Sequence, residues 1–171
     1  MKSRLLLPAM IFASLFGMNL RAMPLAVGAA VPDVTAPDEN GQPVNLTEAT
    51  AKGLTLVYFY PKAGTPGCTA QACSLRDGIV DLKKVGVKVI GVSHDKPEAQ
   101  KAFKAKYDLP FTLIADADGK VIAAFGVPTL PLGMAQRQSF LIRDGKVVQY
   151  FPKAQTKTHA QEVEAAVAAL K

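Results

Sequence analysis

The chain has 171 residues, 49% of them hydrophobic and 20% charged, which suits one globular domain and excludes a disordered, repetitive or coiled-coil protein. Two cysteines and two histidines exclude a zinc-finger array. The formal charge of +6 includes Lys2, Arg4 and Arg21 in an acid-free opening stretch; beyond residue 22 the balance is +3, with no basic cluster and no Trp, so nucleic-acid binding is not expected.

Residues 1–22 (MKSRLLLPAMIFASLFGMNLRA) have a basic start and a charge-free run from Leu5 to Leu20. That run is shorter than the ~20 residues of a spanning helix and fits the apolar region of a secretory signal peptide. Ala22 and Ala26 offer cleavage sites, and an uncleaved anchor is the alternative. Export, most simply to a bacterial periplasm that tolerates disulfides, is the expectation for residues 23–171. No stable membrane association is expected once the leader is cleaved.

Residues 23–43 read as an extended lead-in with a turn at Asn40–Gly41. The unbroken apolar run from Leu54 to Tyr60 predicts a buried strand. A helix is expected over 68–84 and a second strand over 87–92 (VKVIGV). Asp95 and Glu98 form a capping-box-like start, with Pro97 in the first turn, and Ala99, Ala102, Phe103 and Tyr107 share one helical face. Phe111–Ala115 predicts a third strand. Ser139–Ile142 and Lys146–Phe151 flank Asp144–Gly145, a hairpin signal. Thr158 and Gln161 form a second capping box before a helix with Val163, Ala166, Val167 and Leu170 on its apolar stripe. Strands and helices that alternate before a hairpin and a last helix predict an α/β sandwich, with a mixed central sheet between helices.

The chemistry concentrates in YPKAGTPGCTAQAC, residues 60–73. A strand ends, a Pro/Gly-rich turn follows, and Cys68 opens a helix. Backbone N–H groups and the helix dipole favour negative charge there and lower a thiol pKa, so the reactive thiolate is expected, with the sulfur reachable at the helix mouth. Gly67 allows close backbone approach, and Thr65 and Thr69 bring hydroxyls near the sulfur. The plain alternative is a small buried hydrophobe. Cys73 lies five positions on. On one regular helix the two Cα atoms are roughly 8–9 Å apart, beyond the ~7 Å that a bridge tolerates. That leaves a disulfide formed with local unwinding, or a static bridge if the segment is not helical. His94 and His159 read as surface or capping-region residues rather than metal ligands.

The segment YFYPKAGTPGCTAQACSLRD resembles the active site of the peroxiredoxins, and within them the peroxiredoxin Q (bacterioferritin comigratory protein) subfamily. Its Pro-x-x-x-Thr-x-x-Cys pattern is matched by Pro61, Thr65 and Cys68, and its second cysteine by Cys73. The likeness continues through residues 91–127 and 137–148, where Arg137 matches the family's arginine, and spans roughly 28–170. Ala63 and Gly64 stand where many relatives carry polar or acidic residues.

The resemblance implies a thioredoxin-like fold and a peroxidase without cofactor or metal. Cys68 would attack the O–O bond and become a sulfenic acid, and Cys73 would resolve it to a disulfide that a thioredoxin-like dithiol donor reduces. Thr65 would hydrogen-bond the thiolate and the peroxide, Arg137 would stabilise the developing charge, and Pro61 would shield the sulfur. Within the same resemblance a monomer is expected. Two other functions remain open: an exported thiol–disulfide oxidoreductase, which usually carries Cys-x-x-Cys, and a non-enzymatic binding protein stapled by a Cys68–Cys73 bridge.

Overall fold

The computed structural model describes residues 23–170, so the expected leader at 1–22 lies outside the described residues. The lead-in forms a small antiparallel hairpin, β1 (Thr35–Pro37) and β2 (Pro43–Asn45), turning at Asp38–Gln42, where the Asp38 carboxylate accepts from the Asn40 and Gln42 backbone N–H groups. Then follow α1 (Leu46–Thr50), β3 (Leu54–Phe59), α2 (Pro66–Asp77), α3 (Ile79–Lys84), β4 (Val87–Ser93), α4 (Pro97–Lys106), β5 (Thr112–Ala115) and α5 (Lys120–Ala124). The hairpin β6 (Gln138–Arg143) and β7 (Lys146–Phe151) and the last helix α6 (His159–Ala169) complete the chain.

The main sheet has the order β5-β4-β3-β6-β7. β3, β4 and β5 run parallel, and β6 pairs antiparallel with β3, with Phe59 opposite Gln138 and Leu54 opposite Arg143. All six residues of β3 are buried, because helices cover both faces of the sheet. Leu54, Leu56, Tyr58 and Tyr60 pack toward Ala72, Leu75, Leu82, Phe103, Val163 and Val167. Val57 and Phe59 face the other way, toward Leu46, Val121, Ile122 and Phe125. The expected three-layer thioredoxin-like sandwich is thus present. The lead-in protects both edges, with bridges from Ala30 to Lys146 and from Asp38 to Ile114.

Several local expectations are corrected. The expected helix over 68–84 is two helices, broken at Gly78, whose φ of -83° and ψ of 2° leave the helical path; a Cβ there would lie 2.5 Å from that of Ala160, so the close approach of α6 requires glycine. In α4, Ala99 and Ala102 are exposed and the inward residues are Gln100 and Phe103. Gln100 is buried because it is fully used: Tyr60 Oη–H donates to its Oε1, and its Nε2 donates to Ser93 Oγ and the Ile114 carbonyl at 2.8 and 2.9 Å. Asp95 does not cap α4; Lys96 holds that position, and the Asp95 carboxylate turns to the loop after β3. The short elements α1, α5, β1 and β2 went unread, because three to five residues cannot display a period.

The largest correction concerns the histidines. His94 is half-buried, and its Nδ1–H donates to the Asp116 carbonyl at 3.0 Å. His159 stands in the capping region, as the first residue of α6, but is fully buried rather than on the surface. Its Nδ1–H donates to Glu162 Oε2 at 3.0 Å, which leaves Nε2 to accept from the Ser139 hydroxyl at 2.9 Å. Thr158 precedes α6 with a non-extended backbone and no side-chain cap, so the expected pairing with Gln161 does not form. Glu162 occupies that turn instead and also accepts from the Gln155 backbone N–H at 2.9 Å.

Burial holds the His159 imidazole below its ordinary value of 6.5, outweighing the pull of Glu162 in the other direction. The neutral ring therefore dominates at pH 7. As pH falls below 6.5 the unfolded chain takes up this proton before the folded one, so stability is lost on acidification. We expect the stability difference between wild type and His159→Gln to be largest near pH 7.5 and to shrink toward pH 5, measured by urea denaturation. A difference constant across that range would remove His159 from the acid response.

Candidate active site

β3 ends at the sheet's carboxyl edge, where ligands of open α/β sheets collect. The loop 61–65 follows and is held by Asp95, whose Oδ2 accepts from the Ala63 backbone N–H and from the Ser93 hydroxyl, both at 2.7 Å. Helix α2 then starts with Thr65 as the extended N-cap residue and Pro66 in the first helical position, where its missing N–H costs nothing. Cys68 is the third residue of the helix, within the turn whose N–H groups have no helical partner.

Arg137 immediately precedes β6. Because Phe59 pairs with Gln138, the antiparallel register carries Arg137 to the loop that follows β3. Its Nη2 donates to Cys68 Sγ at 3.4 Å, and its Nη1 donates to Gln71 Oε1. The guanidinium thus sets a fixed positive charge and a planar pair of donors between the sulfur and Gln71. Gly67 makes the approach possible, since a Cβ there would stand 3.2 Å from Arg137 Nη2.

Thr65 lies one turn from the sulfur, but its hydroxyl donates to the Lys62 carbonyl at 3.1 Å. The expected donation from Thr65 to the thiolate is therefore absent, and its lone pairs remain to accept from a ligand. Pro61 is half-buried and lines a cavity of about 330 Å³ with Lys62, His94, Asp95 and Leu132. Cys68 is 1% exposed, so the expected open mouth at the sulfur is closed in this state. Cys73 is half-buried on the same unbroken helix, and both thiols are free. A static Cys68–Cys73 bridge is thus not present.

Sequence reasoning missed two residues. Gln71 is fully buried and steadies Arg137; its position one turn after Cys68 was the available signal. Asp95 positions the 61–65 loop from 32 residues away, and no local pattern could reveal that. Three buried polar atoms near the sulfur have no partner: Gln71 Nε2, Thr69 Oγ1 and Tyr58 Oη. Tyr58 is within electrostatic reach of Cys68, and burial first, then Tyr60 and Cys68, push its hydroxyl well above its ordinary value, so it stays neutral. Such groups around a nucleophile suit a small, oxygen-rich ligand. Among the described residues no group of His, Cys, Asp and Glu is arranged to hold a metal ion.

Comparison with known proteins bears on this chemistry. Residues 27–151 match the AhpC/TSA family. The chain is 46% identical over 143 residues to peroxiredoxin Bcp of Escherichia coli K12, covering 80% of this chain and 91% of that protein. It is 41% identical to the chloroplastic peroxiredoxin Q of Sedum lineare, covering 79% and 74%. Among solved structures, peroxidoxin BcpB of Mycobacterium tuberculosis superposes with a TM-score of 0.78 at 32% identity, covering 87% of this chain and 99% of that one. A Xanthomonas campestris bacterioferritin comigratory protein, studied for alkyl peroxide reduction, gives 0.75 at 31% identity, covering 85% and 97%. The chain therefore belongs to the AhpC/TSA family, as a thiol peroxidase of its peroxiredoxin Q/Bcp branch.

Proposed function

We propose that Cys68 is the peroxidatic nucleophile and Cys73 the resolving thiol, in the reduction of hydrogen peroxide and organic hydroperoxides. The observation that carries this reading is the Arg137 guanidinium on Cys68 Sγ at 3.4 Å, at the start of α2. The Cys68 thiolate attacks the terminal oxygen of the hydroperoxide. The O–O bond breaks, the leaving alkoxide or hydroxide takes a proton, and Cys68 becomes a sulfenic acid. Arg137 neutralises charge on the reacting oxygens as it forms. Thr65 accepts from the peroxide O–H while its own proton stays on the Lys62 carbonyl. Pro61 closes the water side of the loop.

The Cys73 thiol then displaces water from the sulfenic sulfur, forming the Cys68–Cys73 disulfide. Two electrons from a thioredoxin-like dithiol restore both thiols by exchange. On intact α2 the two Cα atoms are roughly 8–9 Å apart, so the helix must open for this step. Action on protein disulfides is disfavoured, because four residues separate the cysteines instead of two. The relative studied for alkyl peroxide reduction supports the organic substrate.

We further propose that residues 1–22 are a cleaved leader, that the domain is a periplasmic monomer, and that it keeps no membrane association. The basic start and the apolar run are the support. Mass spectrometry of protein from a periplasmic extract should give a mature N-terminus just after Ala22 or Ala26; the full-length mass in the cytoplasm alone would refute export.

In stopped-flow assays Cys68→Ser should consume no peroxide. Cys73→Ser should complete one turnover and then accumulate sulfenic or over-oxidised Cys68; continued turnover by Cys73→Ser with a dithiol protein donor would refute its role. Arg137→Met should lower the second-order rate with peroxide by about 10²–10³ while the helical signal is unchanged. A loss below about threefold would take Arg137 out of the reacting centre.

A further inference from the structure

Helix α2 is held by two adjacent stripes. Cys68, Ala72 and Leu75 are buried in the core. Beside them Gly67, Gln71, Ser74 and Gly78 recur at helical spacing and meet the segment around α6 and the start of β6. A Cβ on Gly67 would stand 3.2 Å from Arg137 Nη2 and 3.9 Å from Thr156 Cγ2. Gln71 holds Arg137, Ser74 Oγ accepts from the Ala160 backbone N–H at 3.3 Å, and Gly78 abuts the Ala160 methyl. The second stripe is thus small or polar, and it docks α2 along its length.

What holds the other side of that dock is the chain Ser139–His159–Glu162, whose first two members are fully buried and whose third is half-buried. His159 ties the first turn of α6 to β6 through Ser139, and Glu162 ties it to the preceding loop through the Gln155 N–H. Phe151 packs edge-on against the imidazole with ring centroids 5.7 Å apart. The charged groups facing His159 are Glu162 from α6 and Arg137 from the start of β6. Thr156 and Ala160, the contacts at the two ends of the α2 stripe, lie on either side of His159. Nothing in the peroxide chemistry uses this imidazole.

We propose that His159, with Ser139 and Glu162, is a positioning residue that clamps the α6 junction onto α2 and so sets how readily α2 unwinds to bring Cys73 to the Cys68 sulfenic acid. This rests on the reading of Cys73 as the resolving thiol. The clamp acts on resolution, not on the attack of the thiolate. A tight clamp keeps the sulfenic acid waiting, exposed to a second peroxide and over-oxidation; a loose one closes the disulfide sooner.

The test separates the two steps in single-turnover stopped flow with hydrogen peroxide, following peroxide loss and disulfide formation independently. Ser74→Ala removes a contact between α2 and α6, and His159→Gln frees the start of α6 from β6 behind that contact; each should raise the disulfide-forming rate roughly tenfold, with the peroxide step unchanged within about twofold. Over-oxidation at high peroxide, read by mass, should fall in parallel. Ser139→Thr keeps the hydroxyl and should behave as wild type, whereas Ser139→Ala should not. If the disulfide forms in both docking variants at the wild-type rate while their stability is lowered, His159 is only structural and the clamp is wrong. If wild type forms no Cys68–Cys73 disulfide, the resolving role itself fails and the clamp with it.

Discussion

Everything at this site depends on one cation meeting one sulfur at the first turn of a helix. Arg137 and Cys68 are 69 residues apart in sequence, and their contact at 3.4 Å exists because β6 runs antiparallel beside β3. The register with Phe59 opposite Gln138 leaves Arg137 beside the point where the chain leaves the sheet for the 61–65 loop. A slip by one residue would point the guanidinium at the other face. The buried hydrophobic strands are therefore part of the catalytic geometry, since they fix that register.

Around this contact the interior is unusually polar. Gln71, Gln100, Ser139 and His159 are all fully buried. Burying such groups is tolerable only when they are hydrogen-bonded, and Gln100, Ser139 and His159 are. Gln100 joins α4 to β4, to β5 and to Tyr60 just after β3, and His159 joins α6 to β6. Among the described residues the partnerless buried side-chain atoms include Gln71 Nε2 and Thr69 Oγ1 on the helix that carries Cys68, and Tyr58 Oη in the core cluster that contains it, with Thr55 Oγ1 and Gln138 Oε1 in the sheet.

The resting geometry also sets a requirement for movement. The sulfur is closed off, and its partner thiol lies on the far side of an intact helix. In the proposed reaction, resolution by Cys73 therefore draws on one soft element, α2, which ends at the break before α3. Its polar docking stripe can be exchanged for water at less cost than its apolar one. That asymmetry would let α2 hold Cys68 in place and still open for the proposed resolving step.

Much of this was legible along the chain. The apolar run of β3, the Asp144–Gly145 hairpin and the turn before Cys68 are local patterns, and local patterns are written in neighbouring residues. The nucleophile's place at a helix start followed from the Pro/Gly turn, and Pro61, Thr65, Cys73 and Arg137 came from the family likeness of that segment. Only the folded structure decided where polar groups find partners: that the Thr65 hydroxyl donates to the Lys62 carbonyl within its own loop, that Asp95 holds the loop instead of capping a helix, and that His159 is buried between Ser139 and Glu162. The need for glycine at residue 78 belongs with these, because it is the methyl group of Ala160 on another helix that leaves no room for a side chain. Sequence periodicity reports which face of an element is apolar, whereas a polar side chain takes whichever partner the packed elements bring within hydrogen-bonding distance, and that partner is known only when the chain has folded.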